Sequence, residues 1–268
     1  MNLMKKCRYG LMIYNNKDVW VGKSIEKYGE FSESEVQVFR DAIQPGSVVL
    51  DVGANIGCHT VAIARIVGEN GFVFSYEPER TNFNTLAGNV ALNNLNNVYV
   101  FQKAIGETTR LIPVPELDYN QTTNFGGLSL VDQDYSGCPN YPIQLTTIDD
   151  QNFLRLDFIK IDIEGMEKEA LQGAKETIEK LKPTLYVEND RPDKSESLIE
   201  QLKSLGYICY KHLAPLYNPS NFFGNKEDEF FVPNENGGFN QIISENIFAH
   251  HKDNICPIDV QKFSMTEI

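Results

Sequence analysis

The chain has 268 residues, 41% of them apolar, and carries 37 Asp and Glu against 24 Lys and Arg for a formal net charge of -13. That length suits one α/β domain with additions or two small domains, with enough apolar residues for a sizeable core. The acidic balance, without a long Lys/Arg run, argues against nucleic acid as the main partner, because phosphate binding needs a basic face.

Residues 1 to about 30 read as irregular, with Gly10 to Tyr14 and Val19 to Val21 expected to pair as a hairpin across Asn15 to Asp18. Met1 to Asp18 has no apolar run of signal-peptide length, and no stretch reaches the roughly 20 apolar residues of a membrane helix. Phe31 to Ile43 patterns as a helix, with Val36, Phe39 and Ile43 on one face and Ser32 or Ser34 as cap. Glu35 on it reads as a solvated surface acid. Pro45 and Gly46 end the helix.

Val48-Val49-Leu50-Asp51-Val52-Gly53-Ala54-Asn55-Ile56-Gly57 then reads as strand and tight turn, with a helix from Cys58 to Val67. The dinucleotide fingerprint G-x-G-x-x-G fails here, since no third glycine stands in register. An acid two residues before the first glycine is instead the pattern of S-adenosylmethionine sites, where Asp51 can hold a cationic group directly or through water. Phe72 to Tyr76 is a second strand, and Glu77 at its end can accept hydrogen bonds from both ribose hydroxyls. Thr81 is the expected cap of a helix to Leu92. Val98 to Phe101 is a third strand, and the Gln102 to Ile105 turn, with Ala104, is the expected adenine wall.

Glu107 to about Asp150 breaks the rhythm with Pro113, Pro115, Pro139 and Pro142. It reads as an excursion over the site, with short strands near Arg110 to Pro113, Leu128 to Val131 and Ile143 to Thr146. Leu156 to Ile163 is a strand, Met166 to Leu181 the clearest helix, Leu185 to Glu188 a strand and Ser195 to Leu205 a helix. Tyr207 to Leu213 and Glu229 to Val232 are the expected last strands, paired antiparallel at the sheet edge. A short helix is expected near Gln241 to His250, with His250 and His251 in solvent. Cys7, Cys58, Cys138, Cys209 and Cys256 are widely spaced without a C-x-x-C pair, which argues for neither a disulfide framework nor a zinc site and favours a reducing, cytoplasmic setting.

The pattern predicts a doubly wound, mostly parallel α/β sheet with an antiparallel edge strand. Residues 1–44 form an N-terminal cap, 45–232 the main domain with a strand-rich insertion at about 107–150, and 233–268 a C-terminal extension. Such sheets bind ligands at the C-terminal ends of their strands. Asp51 to Gly57, Glu77, Gln102 to Ile105, Asp162 to Gly165, Glu188 to Asp190 and His212 arrive there. Asp162 is expected to face the crevice without a buried partner. His212, Asp162 and Glu164 are the candidate bases, His212 first if its strand turns it inward; His59 reads as packing or a cap.

Val49 to Thr60, together with Phe158-Ile159-Lys160-Ile161-Asp162-Ile163-Glu164-Gly165-Met166-Glu167, resembles the FkbM family of S-adenosylmethionine-dependent methyltransferases. Tyr76-Glu77-Pro78, Asn93 to Val98 and Thr147 to Asp150 match its intervening blocks, so the likeness covers about residues 45 to 215. The resemblance implies a Rossmann-like class I methyltransferase fold and O-methylation of a sugar, glycan or natural-product hydroxyl, that is, a small-molecule or glycan acceptor. It puts Asp51, Gly53, Asn55 and Gly57 around the methionine end of the cofactor, Glu77 on the ribose, and Asp162 and Glu164 nearest the transferred methyl. Some O-methyltransferases hold a divalent ion where Asp162, Glu188 and Asn189 stand here; Glu in place of Asp weighs against a metal. An NAD-dependent oxidoreductase on a similar sheet and a catalytically silent cofactor-binding module are the competing readings.

Overall fold

The computed structural model describes residues 1–130, 137–233 and 239–268. The chain opens with a hairpin of β1 (Asn2–Cys7) and β2 (Gly10–Asn15), which turns at Arg8 and Tyr9. The expected turn at Asn15 to Asp18 does not close a hairpin. Asp18 Oδ1 accepts from Trp20 N at 2.9 Å and Gly22 N at 3.1 Å, and so starts the helix α1 (Val21–Tyr28) instead. The helix α2 (Glu33–Ala42) follows at the expected place.

Alternation of strand and helix then builds the domain: β3 (Val48–Val52), α3 (Cys58–Val67), β4 (Phe72–Tyr76), α4 (Arg80–Leu92) and β5 (Val98–Phe101). The cap of α4 is Glu79, whose carboxylate accepts from Thr81 N and Asn82 N, one residue before the helix rather than at Thr81. After β5 the chain leaves the sheet. β6 (Lys103–Ile105), β7 (Arg110–Pro115) and β8 (Asn140–Thr146) form a separate sheet in the order β6-β8-β7. The expected strand near Leu128 has no counterpart at residues 128–130, and Val131 lies outside the described residues.

The main sheet resumes with β9 (Phe158–Ile161), α5 (Glu167–Gln172), α6 (Lys175–Leu181), β10 (Thr184–Glu188), α7 (Pro192–Ser204) and β11 (Tyr207–Pro215). The single helix expected from Met166 to Leu181 is broken in two. At Gly173 a Cβ would come within 2.1 Å of Gly106 O, and Asp149 N takes the Gly173 carbonyl, so a packing contact interrupts the helical ladder.

β12 (Phe231–Pro233) and β13 (Phe239–Gln241) make a small hairpin apart from the main sheet. The antiparallel partner of β11 is β14 (Ile243–His251), not the segment near Glu229, and β15 (Thr266–Glu267) closes that edge. The sheet order is β15-β11-β14-β10-β9-β3-β4-β5. It is an α/β doubly wound sheet, parallel except for β14 and β15. The helix expected near Gln241 to His250 is a strand inside the sheet, and the sheet therefore runs past the expected boundary at 232. Ile247, Phe248 and Ala249 are all fully buried, and a strand covered on both faces shows no alternation to separate it from a short helix. His250 and His251 are buried with it rather than solvated.

The sheet divides the core. Val49, Phe158, Tyr186 and Phe248 pack with α2 and α3 on one face; Leu50, Ile159, Ile161 and Ile247 pack with α5, α6 and α7 on the other.

Candidate active site

The first turn after β3 is shaped by backbone. Gly53 takes φ 79°, and a Cβ there would lie 1.7 Å from the Asp162 carbonyl oxygen, so only glycine lets β3 and β9 end this close together. Gly57 caps α3, and Asn55 sits at φ 51° with its N–H donating to Glu77 Oε2 at 2.8 Å. Glu77 Oε1 accepts from Glu79 N at 2.9 Å. Burial pushes the Glu77 carboxyl up to about 8, against the pull of those two N–H donors. Glu77 is thus held at both oxygens, each with acceptor capacity left for a ligand.

Asp51 stands behind the wall rather than in the pocket. It is fully buried, accepts from Thr60 Oγ1 at 2.6 Å and lies 3.6 Å from Lys160 Nζ. Lys160 is its direct neighbour across the β3–β9 pair. The same ammonium reaches Asp162 Oδ2 at 3.0 Å and donates to Gly53 O at 3.4 Å. Asp162 therefore has a buried partner, contrary to expectation. Burial alone would raise its carboxyl, but the Lys160 ammonium outweighs that and holds it below the ordinary value.

One cavity of about 350 Å³ runs across these strand ends. Glu77, Lys103, Ala104 and Ile105 line one end, so the strand that leaves the sheet as β6 forms a wall where expected; Gln102 faces away from this cavity, into a shallow groove beside Arg80. Asn124, Phe125, Gly126 and Leu128 cover it, so part of the excursion does overhang the site. That cover is pinned: Asn82 Nδ2 donates to Phe125 O, Tyr119 stacks on Phe125 at 4.2 Å, and Val19 N donates to Thr123 O. The other end is lined by Trp20, Phe31, Leu216 and Ile242 with Glu35, His59, Lys160, Asp162, Glu164 and Glu188.

Several expected residues stand elsewhere. His212 is buried on β11 with Nδ1 2.7 Å from the Tyr186 hydroxyl, outside the cavity, and burial lowers it to about 4. Its strand turns it into the core, so it is not placed to serve as a base. Asn189 is engaged with Ser195 and also lies off the cavity. The acids that converge are Glu164, Glu188 and Asp190, with one oxygen of each within 4.8 Å of the others. Arg191 already faces that group, 3.0 Å from Glu164, and Glu164 is pushed to about 7 chiefly by burial and by Asp162.

The sequence reading missed the buried Lys160 and Glu35, whereas His59 packs against Phe31 and Phe39 as expected. Glu35 is 4% exposed rather than solvated, and Ser32-Glu33-Ser34-Glu35 carried the S-x-x-E signal that ties such a glutamate back to the helix start. A lysine inside an apolar strand, beside a strand bearing Asp51, was the signal for the buried pair.

The family model for the methyltransferase FkbM domain matches residues 51–209. The chain belongs to the FkbM-domain methyltransferases. A curated relative of this FkbM-domain chain, the methyltransferase sdnD of Sordaria araneosa, is 25% identical over 183 residues, covering 58% of this chain and 70% of the relative. Among solved structures, the FkbM methyltransferase of Methylobacillus flagellatus is 19% identical, with a TM-score of 0.45 over 80% of this chain and 50% of its own. The FkbM-domain chain thus spans about half the length of that protein. An S-adenosylmethionine-dependent O-methyltransferase of Thermotoga maritima is 14% identical, with a TM-score of 0.46 over 82% of this chain and 64% of its own. No helix among the described residues is long and apolar enough to cross a membrane.

Proposed function

We propose that the chain transfers the methyl group of S-adenosylmethionine to a hydroxyl of a sugar, glycan or natural-product acceptor. The observation that carries this is the continuous cavity, with a polar cradle at one end and an apolar chamber bearing buried acids at the other. When bound, S-adenosylmethionine supplies an electrophilic sulfonium methyl. Gly53, Asn55 and Gly57 shape the cradle for its methionine end, and Asp51 acts on that end only through Lys160 and the turn. Glu77 accepts the ribose hydroxyls, Ala104 lies against the adenine, and Asp162 and Glu164 face the methyl. Trp20, Phe31 and Leu216 give the acceptor an apolar seat that excludes water. The unpaired cysteines support a cytoplasmic setting.

A thermal-shift comparison with S-adenosylhomocysteine, NAD and Mg²⁺ tests the cofactor. A raised midpoint with S-adenosylhomocysteine alone is expected; a shift with NAD alone removes the reading. Glu77→Ala should weaken S-adenosylhomocysteine by roughly 1–3 kcal/mol, or about 5- to 150-fold in Kd. Because the carboxylate is the form that accepts both hydroxyls, wild-type affinity should rise with pH through about 8 and the Ala variant should lose that rise. Unchanged calorimetric affinity takes Glu77 off the ribose. Given the acidic balance, the chain should give no submicromolar filter-binding signal with DNA or RNA at physiological salt.

A further inference from the structure

The acceptor end of the cavity holds two buried polar groups that the cofactor does not need. Glu35, on the first turn of α2, is 4% exposed, and His59, on the first turn of α3, is 5% exposed. Both line the cavity. Glu35 is oriented through one oxygen: Oε1 accepts from Ser32 Oγ at 2.9 Å and from Asn246 Nδ2 at 3.4 Å. Its Oε2 faces His59 Nε2 across 3.7 Å, too far for a direct hydrogen bond. His59 Nε2 is buried with no hydrogen-bond partner among the described residues, while the rings of Phe39 and Phe31 hold the imidazole at 5.3 and 5.6 Å. A buried nitrogen left without a partner is rare in folded proteins and points to a ligand that supplies one.

A hydroxyl has one proton to donate and lone pairs to accept with. Glu35 Oε2 is an acceptor and an Nε2–H imidazole is a donor, and the two stand side by side on the cavity wall, 3.7 Å apart. We infer that Glu35 is the general base that takes the proton of the acceptor hydroxyl while His59 Nε2–H holds the same oxygen. This rests on the methyl-transfer reading and deepens it, since the pair selects an alcohol or phenol over a carbon or thioether nucleophile. In the step, the O–H bond breaks and its proton passes to Glu35 Oε2. An oxygen electron pair forms the bond to the methyl carbon, and the methyl–sulfur bond breaks with its electrons kept on sulfur. The Glu35 carboxylic acid returns its proton to water once the product has left.

The surroundings suit that task. The charged and titratable groups facing Glu35 are His59 from α3, Lys160 from β9, Asp162 after it, and Tyr186 from β10. Burial and then Asp162 raise the Glu35 carboxyl to about 7, against Lys160 and the hydroxyls of Ser32 and Ser244. Burial and Lys160 keep His59 neutral, lowering it to about 3. A general base works best when its pKa lies near the working pH.

The test uses the whole chain with tritiated-methyl S-adenosylmethionine against a panel of methyl glycosides and simple phenols, wild type beside Glu35→Gln. The variant should lose about a hundredfold or more in kcat, with KM changed less than about threefold. Its affinity for S-adenosylhomocysteine should match wild type, and the wild-type rise in kcat through about pH 7 should vanish. A Gln variant that keeps kcat within about tenfold, or keeps the acid limb, overturns the assignment. Carboxyl ¹³C NMR of glutamate-labelled protein with S-adenosylhomocysteine needs no acceptor. A carboxyl titrating near 7 that disappears in Glu35→Gln is expected, and its absence overturns the assignment. If the panel takes no methyl, the O-methylation reading fails while the NMR titration still judges Glu35.

Discussion

Replacing Lys160 with methionine is expected to cost about 3–5 kcal/mol of folding stability, because it removes one partner of a buried ion pair and leaves the others uncompensated. Lys160 is 2% exposed, and its ammonium lies between Asp51, itself fully buried, and Asp162. Asp51 Oδ1 has no hydrogen bond of its own among the described residues, so the 3.6 Å charge contact is its compensation. The pH dependence should change with it. In the wild type, Asp162 has a lowered pKa, so its contribution is present above its unfolded value and lost as pH falls through the folded one. Without Lys160 burial is left to raise the Asp162 carboxyl, which is then protonated more readily in the fold than in the unfolded chain, and the variant should recover relative stability as pH falls. Urea unfolding at two pH values measures both effects. Adding Asp51→Asn to Lys160→Met should return part of the loss, since an amide can stay buried uncharged. A single-variant loss under about 1 kcal/mol would show that water reaches the pair and that β9 does not depend on it.

The parts legible in sequence were those with a local signature. The turn from Asp51 to Gly57 announces itself because the glycines answer a backbone demand that side chains cannot meet, and Glu77 follows one strand later by topology alone. The alternation of β3 to β5 with α3 and α4 is likewise local. What failed was decided by distant partners. β14 reads as a short helix, because Phe248 packs into the core on one face of the sheet and Ile247 and Ala249 on the other, leaving no apolar–polar alternation to mark a strand. Gly173 sits in a good helical period, and only its contact with Gly106 breaks the helix. His212 lies on the strand expected, and only that strand's neighbours decide that its ring meets Tyr186 and Phe263 rather than the cavity. Glu35 and His59 sit near the starts of two different helices, and nothing in the sequence places those helix ends side by side. Family resemblance carried Gly53 to Gly57 and Glu77, where a motif exists, and was silent on Trp20, Phe31 and Glu35, which the N-terminal segment brings to the cavity wall.

Asp162→Asn tests whether Asp162 serves catalysis as well as the fold. The substitution keeps the shape and removes the charge. The substitution should lower stability by about 1–3 kcal/mol, since a hydrogen bond between two ions becomes one from the Lys160 ammonium to an uncharged amide oxygen. This effect is smaller than that of Lys160→Met because Asp51 still compensates the ammonium, and because the Asp162 side chain is 35% exposed at the cavity. Turnover on an accepted alcohol should fall about 10²-fold or more, whether the carboxylate aligns the methyl, assists the base or holds a cation. Three measurements divide those roles. If Asp162 acts through Glu35, whose carboxyl it raises, the acid limb of the rate profile should move to lower pH in the Asn variant. If it holds a cation with Glu188, a chelator should inhibit the wild type and Mg²⁺ should restore it. If it aligns the methyl, neither should change, and kcat should fall with S-adenosylhomocysteine affinity retained. An Asn variant that turns over within about threefold of wild type, at a stability lowered as expected, would leave Asp162 the single task of holding Lys160 at the end of β9.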